Sequence, residues 1–206
     1  MENRPQDRPA SNARIMATRV LVGLLLVLMF ISRPLFKEYG LADQILSFAG
    51  LICLGAASFG RIWTSIYIAG YKNDSLITYG PYSLVRNPLY CFSFIGTVGV
   101  GLTIGSLLIT VILIGAFCLY YPFVVDEEEK RLAQLYGDTF RQYAATTPKF
   151  IPNLSLFNEP EFVPVNTRAF RRSFGDATFF IWVYGLLELV ERAHATGLLP
   201  VLFRIP

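Results

Sequence analysis

Apolar positions in this chain fall in long uninterrupted runs, not in the alternating or every-third-residue patterns of a soluble core. The first run covers residues 15–36. Its centre, residues 20–31, carries no charge and Pro34 stops it, so it predicts a membrane helix. A second run covers residues 41–68 and is interrupted by Arg61, which predicts a span ending near Gly60 and an amphipathic tail lying at the interface. From residue 89 to 125 there are 37 consecutive residues without a formal charge. A single helix of that length would measure about 55 Å against a hydrocarbon core of roughly 30 Å, so the stretch must fold back. Gly99, Gly101, Gly105 and Ser106 mark the hinge of a tight helical hairpin, and Gly101 with Gly105 forms a small-residue pair suited to helix packing. A polar segment follows at residues 126–172. Within it Leu132, Leu135, Tyr136, Phe140 and Tyr143 have helical spacing and predict one apolar stripe, with Gly137 as a break. The last apolar element, residues 177–190 with 198–203, carries Glu188, Glu191 and Arg192, and the pattern leaves open whether it spans.

The expected fold is therefore all-α, a multi-pass membrane helical bundle of four to five spans. Residues 1–14, rich in Arg, Pro, Asn and Asp, are expected to form a disordered tail. No small-residue cleavage pattern follows the first run, which reads as a retained span, and residues 15–206 are expected to form a single domain.

Composition agrees with this pattern. The chain is 53% hydrophobic and 16% charged, with a mean hydropathy of +0.46, well inside the membrane class. The net charge of +3 is small and its Lys and Arg residues sit beside apolar runs, so the bilayer is the expected partner and nucleic acid is not. With a cytoplasmic N-terminus, 14 of the 18 Lys and Arg residues fall on the inside. Cys53, Cys91 and Cys118 each lie within an apolar run and read as buried free thiols. His194 is the one histidine, so neither a histidine-clustered metal site nor a Ser/His or Cys/His nucleophile is expected.

Chemistry is expected in the two polar segments that flank the hairpin, residues 76–90 and 126–138. Gly80-Pro81 makes a tight turn. Asn87-Pro88 holds Asn87 extended and puts Pro88 in the first turn of the next helix, so Arg86 stands at a helix entrance. Glu127, Glu128 and Glu129 follow the hairpin directly. A carboxylate pointing back toward the bilayer needs a cationic partner, and successive helical residues lie about 100° apart, so not all three can face one site. Glu127 has Arg131 at i,i+4 instead. Taken singly, an acidic run is a solvated helix feature and Arg-Asn-Pro a turn. Their joint placement at the two ends of one hairpin, on one side of the membrane, is what points to a site.

Gly80-Pro-Tyr-Ser-Leu-Val-Arg-Asn-Pro-Leu-Tyr90, the apolar hairpin, then Glu128-Glu129-x-x-Leu132-x-x-x-Tyr136-Gly137-x-x-Phe140-x-x-Tyr143 and Phe150-Ile-Pro152 together resemble the isoprenylcysteine carboxyl methyltransferases and their phospholipid methyltransferase relatives. The resemblance covers about residues 50–152. It implies a small helical membrane enzyme without a Rossmann domain. A cytoplasmic C-terminal segment would bind S-adenosylmethionine, and a lipid-like or prenylated acceptor would enter from the bilayer. The chain has no strand followed by a G-x-G-x-x-G turn. Carried over residue by residue, Gly80, Pro81, Tyr82, Arg86, Asn87, Pro88, Tyr90, Glu128 and Glu129 are the implied cofactor-binding positions, and Arg86, Glu128 and Glu129 the implied catalytic ones. The carboxyl methyltransferases have His where this chain has Asn87, and Asn-Pro-x-Tyr resembles the phospholipid N-methyltransferase version. A prenylcysteine-type carboxylate, which Arg86 would orient through a bidentate contact, and a phospholipid amine, deprotonated by a base such as Glu129, both stay open as acceptors. Two rivals of other classes are a sterol-reductase-like oxidoreductase, for which the chain is short, and a non-enzymatic membrane scaffold. The implied location is the bacterial inner membrane or the endoplasmic reticulum; acceptor atom and oligomeric state are left open.

Overall fold

The computed structural model describes residues 32–34, 40–69 and 75–205. The expected N-terminal tail and all but residues 32–34 of the first apolar run lie outside them. Seven helices follow in the described residues: α1 (Leu41–Ile68), the single turn α2 (Pro81–Leu84), α3 (Pro88–Ile104), α4 (Leu107–Tyr136), α5 (Asp138–Thr146), α6 (Thr167–Ala177) and α7 (Phe179–Ala195), with a 3-10 turn at Leu154–Leu156. The sole strand pairing among them is three residues long and parallel, β1 (Ser32–Pro34) with β2 (Phe203–Ile205). The architecture is all-α.

By length and composition, Asp43–Ile68, Leu107–Tyr136 and Thr167–Ala195 are each able to cross a membrane, and α3 is a shorter apolar helix of 17 residues. The last apolar element, left open by the sequence pattern, thus qualifies as a span, built from α6 and α7 with a break at Thr178. Large apolar side chains such as Ile52, Phe59, Leu119, Phe123, Trp182 and Leu189 face outward, which in water would be costly and in lipid is the favoured arrangement.

α3 is the centre of the bundle, with α1 along one side, α4 along the other, α6 laid on α1, and α7 across α1 and α3. The hinge between α3 and α4 is narrower than the four small residues suggested. Gly105, at φ 74°, takes the left-handed conformation that ends α3 and donates its N–H to the Gly101 carbonyl (3.1 Å), and Ser106 caps α4 through Ile109 N–H (3.3 Å). Gly99 and Gly101 are helical residues instead, used for packing. A Cβ on Gly99 would stand 2.9 Å from the Cys53 Cβ and 3.0 Å from the Gly50 carbonyl of α1, and one on Gly101 would meet Thr110 of α4. Phe180 of α7 closes the third side over Leu54, Ala57 and Gly96.

The expectation that the second span ends near Gly60 is corrected: α1 runs unbroken through Arg61 to Ile68. Arg61 is accommodated by its neighbours, donating from Nη1 to the Ser93 hydroxyl of α3 (2.6 Å) and lying 5.9 Å from the centre of the Phe180 ring. These two contacts partly meet the guanidinium inside the bundle, and the helix continues past it. Gly137, at φ 54°, divides α4 from α5 as expected. The stripe across it is only partly formed: Phe140 and Tyr143 are buried, Leu132 and Tyr136 half-buried, and Leu135 is 51% exposed.

Candidate functional site

The chain enters the site through the turn before α2. Gly80 has φ 62° and ψ −135°, a conformation open to glycine, and a Cβ there would stand 2.5 Å from the Tyr67 ring. Pro81 then starts α2, whose short helix holds Tyr82 and Ser83 buried. The segment after α5 lies against this turn. Gly80 N–H donates to the Asn158 carbonyl (2.8 Å), Asn158 N–H to the Ser83 hydroxyl (3.0 Å), Asn153 N–H to the Leu84 carbonyl (2.9 Å), and Arg86 N–H to the Pro148 carbonyl (2.9 Å). The Tyr67 hydroxyl reaches Glu159 in the same strap.

Beyond α2, Val85 is extended and Pro88 opens α3, so Arg86 and Asn87 project from the loop toward the end of α4. Arg86 meets Glu129 with a fork, Nε to Oε1 at 3.0 Å and Nη2 to Oε2 at 3.3 Å, and Nη1 donates to the Ala144 carbonyl at 2.5 Å. Both side chains are largely shielded, at 14% and 16% exposure. Asn87 adds Nδ2 donations to Glu129 Oε1 (3.1 Å) and to the Lys149 carbonyl (3.2 Å). Lys149 completes the group, with Nζ 3.5 Å from Glu129 Oε2 and paired with Asp126 one turn earlier on α4. Glu129 thus accepts from two adjacent residues of one loop and pairs with Lys149 of a second segment, the arrangement that makes a shielded carboxylate tolerable.

Glu128 faces a different set. Its Oε2 accepts from the Tyr90 hydroxyl at 3.1 Å, and the Tyr90 ring lies 5.3 Å from Tyr121, which stacks on Phe117 at 3.9 Å. Tyr82 is buried nearby. Burial, reinforced by the negative charge of Glu128, pushes its phenol well above the ordinary value, so it is a neutral hydroxyl at physiological pH. Tyr143 is likewise held neutral, chiefly by burial, and donates to the Tyr82 carbonyl at 2.7 Å, tying α5 to α2.

The predicted residues therefore divide. Arg86, Asn87 and Glu129 form one polar clasp, Tyr90 and Glu128 a neighbouring pair, and Gly80, Pro81, Tyr82 and Pro88 shape the turn that carries them. Glu127, the remaining member of the acidic run, is exposed. Lys149 and Asp126 were not singled out in the sequence, although Lys149 directly precedes the Phe150-Ile151-Pro152 block and Asp126 opens the acidic run. A cleft of about 660 Å³ adjoins the clasp, within the size range of small-molecule sites. It is lined by the segment from Ala144 to Leu154, with Ile151 and Leu154 exposed at its lip. Of the predicted residues only Arg86 lines it, so the cleft and the Tyr90–Glu128 pair are separate features.

Helices long and apolar enough to span, with two polar blocks brought to one end of a hairpin, define a protein of multi-helix membrane type. The phospholipid methyltransferase family profile matches residues 44–139. The chain is 33% identical over 202 residues to the nickel-cobalt-cadmium resistance protein NccN of Alcaligenes xylosoxydans xylosoxydans, covering 98% of this chain and 94% of that protein. It is 33% identical over 197 residues to the cobalt-zinc-cadmium resistance protein CzcN of Cupriavidus metallidurans, covering 96% and 90%. A protein-S-isoprenylcysteine O-methyltransferase of Schizosaccharomyces pombe is 27% identical over 111 residues, half of this chain and 47% of that protein. No solved structure matches. The chain belongs to the family of NccN and CzcN, and over residues 44–139 it is similar to the phospholipid methyltransferases.

Proposed function

We propose that residues 15–206 act as one methyltransferase domain that moves a methyl group from S-adenosylmethionine to a lipophilic acceptor at the cytoplasmic face of the membrane. A prenylcysteine-type carboxylate or related lipid is the acceptor class favoured by the resemblance, and a phospholipid amine is the alternative. The observation that carries this reading is the joining of the two family blocks, Arg86 and Asn87 to Glu129 and Tyr90 to Glu128, at one end of the α3–α4 hairpin.

The residues present fit the cofactor. A carboxylate hydrogen-bonded to Tyr90, whose ring lies against that of Tyr121, suits a sulfonium, which is drawn both to negative charge and to aromatic faces. The cofactor supplies an electrophilic methyl group whose bonding pair leaves with sulfur, so that positive charge vanishes as the acceptor's lone pair bonds the carbon. Glu128, Tyr90 and Tyr82 would hold it. Arg86, Asn87 and Lys149 fix Glu129 and with it the end of α4, which keeps Glu128 at a set position relative to Tyr90. Displacement of this kind depends mainly on alignment and on exclusion of water, and the strap of residues 148–159 over the Gly80 turn serves both. For a carboxylate acceptor the nucleophile is already anionic. For an amine, Glu129 is the nearest candidate base, and it would have to exchange a donor to act.

The names of NccN and CzcN attach those proteins to metal resistance; for this chain the corresponding role is methylation of a membrane component in that setting. Among the described residues, no group of three or more His, Cys, Asp or Glu is placed to hold a metal ion. The test is thermal shift of the detergent-purified protein with S-adenosylhomocysteine and with NADPH. Stabilisation by S-adenosylhomocysteine alone is expected; stabilisation by NADPH alone favours the sterol-reductase-like reading, and neither favours a scaffold.

A further inference from the structure

Arg61 is a cation inside a candidate span. At 1.5 Å per residue it stands about 10 Å inside the Ile68 end of α1. Among the described residues its guanidinium has one strong hydrogen-bond acceptor, the Ser93 hydroxyl at 2.6 Å, one long contact, Nη2 to the Asp176 carbonyl at 3.4 Å, and the Phe180 ring at 5.9 Å. The Asp176 carboxylate is at the surface and forms no ion pair with it, and no other described carboxylate does. Nε is buried and has no acceptor. A planar five-donor cation with donors unused, and with only the longer-range attraction of the surface Asp176 carboxylate, is expensive inside a bilayer, yet the side chain is only half-buried and can be reached.

An oxyanion would supply both what the charge and what the unused donors lack. The position also suits the proposed chemistry. Ser93 follows Tyr90 by three residues on α3, so the guanidinium sits about 4.5 Å deeper than the Tyr90–Glu128 pair. We propose that Arg61 is the docking point for an oxyanion carried by the acceptor, either a lipid phosphate or a carboxylate, and so fixes how deep the acceptor sits. This proposal rests on the methyltransferase reading for what the bound lipid is used for, but not for the binding itself.

The test is binding by microscale thermophoresis to the full chain in neutral detergent. The probes are dioctanoyl phosphatidic acid, N-acetyl-S-farnesylcysteine and the uncharged dioctanoylglycerol. Wild-type protein is expected to bind at least one anionic probe about tenfold or more tighter than the neutral one, and Arg61→Gln to lose that preference while keeping its affinity for S-adenosylhomocysteine. Preference for the phosphate or for the carboxylate identifies the source of the oxyanion. Should Arg61→Gln fail to fold, hydrogen exchange on the wild type replaces it: the anionic probe is expected to protect residues 58–64 and 90–96. Equal binding of all three probes, a preference that survives Arg61→Gln, or protection confined to other segments overturns the proposal. Failure of wild-type protein to bind S-adenosylhomocysteine while the anion preference stands sinks the methyltransferase reading alone.

Discussion

Between α1 and α3 the two backbones approach so closely that Gly50 and Gly99 leave no space for a Cβ, and the buried Thr103 returns its hydroxyl to the Gly99 carbonyl. At the other end of α3 the contact to α4 is made at arm's length, by a guanidinium, an amide and an ammonium gathered on Glu129. The seam is set by shape and indifferent to donors; the clasp is set by donors drawn from the loop before α3 and from the strap. Adding an atom should therefore break the first, and changing a hydrogen-bond pattern at constant size should break the second.

The largest effect is expected at the seam. Gly50→Leu places its Cβ 2.9 Å from backbone atoms of α3 that cannot move aside, so a loss of about 3 kcal/mol or more is expected, read as failure to elute monodisperse from detergent gel filtration. Wild-type elution and melting would show that the helices are free to separate. Next comes Arg86→Lys, which keeps the charge but loses the fork to Glu129. On the proposed reading turnover falls about 100-fold with the melting temperature little changed. Equal loss of turnover and of folded protein would make the clasp a stability element only. Glu128→Gln sharpens the division inside the acidic run: affinity for S-adenosylmethionine should weaken about tenfold by calorimetry, because the amide still accepts from Tyr90 but no longer offers a charge to a sulfonium. The smallest effect is Tyr143→Phe, which removes one buried bond to the Tyr82 carbonyl and should cost about 1 kcal/mol in chemical denaturation.

Much of the framework was legible because it rests on length. A charge-free run of 37 residues has to fold back in a bilayer, and the blocks on either side of it are then carried to one end. What was not legible depends on pairings between distant segments. Arg61 reads as the end of a span until its acceptor, Ser93, arrives from 32 positions away. Gly99 and Gly105 look alike in sequence, and only the positive φ of Gly105 separates the turn from the packing surface. Lys149 and Asn158 lie in a segment with no periodicity, and they join the turn and the clasp through the path of the strap.

The central claim is that the clasp and the Tyr90–Glu128 pair serve transfer of a methyl group to a membrane acceptor. It is tested most directly by reconstituting wild-type and Arg86→Lys protein in nanodiscs made from total lipid extract, supplying S-adenosylmethionine labelled with tritium in the methyl group, and counting label in the organic phase. The account predicts label in lipid from the wild type and about 100-fold less from the variant. Equal label from both proteins, or none from folded wild type with either lipid extract or prenylcysteine analogues, would contradict it.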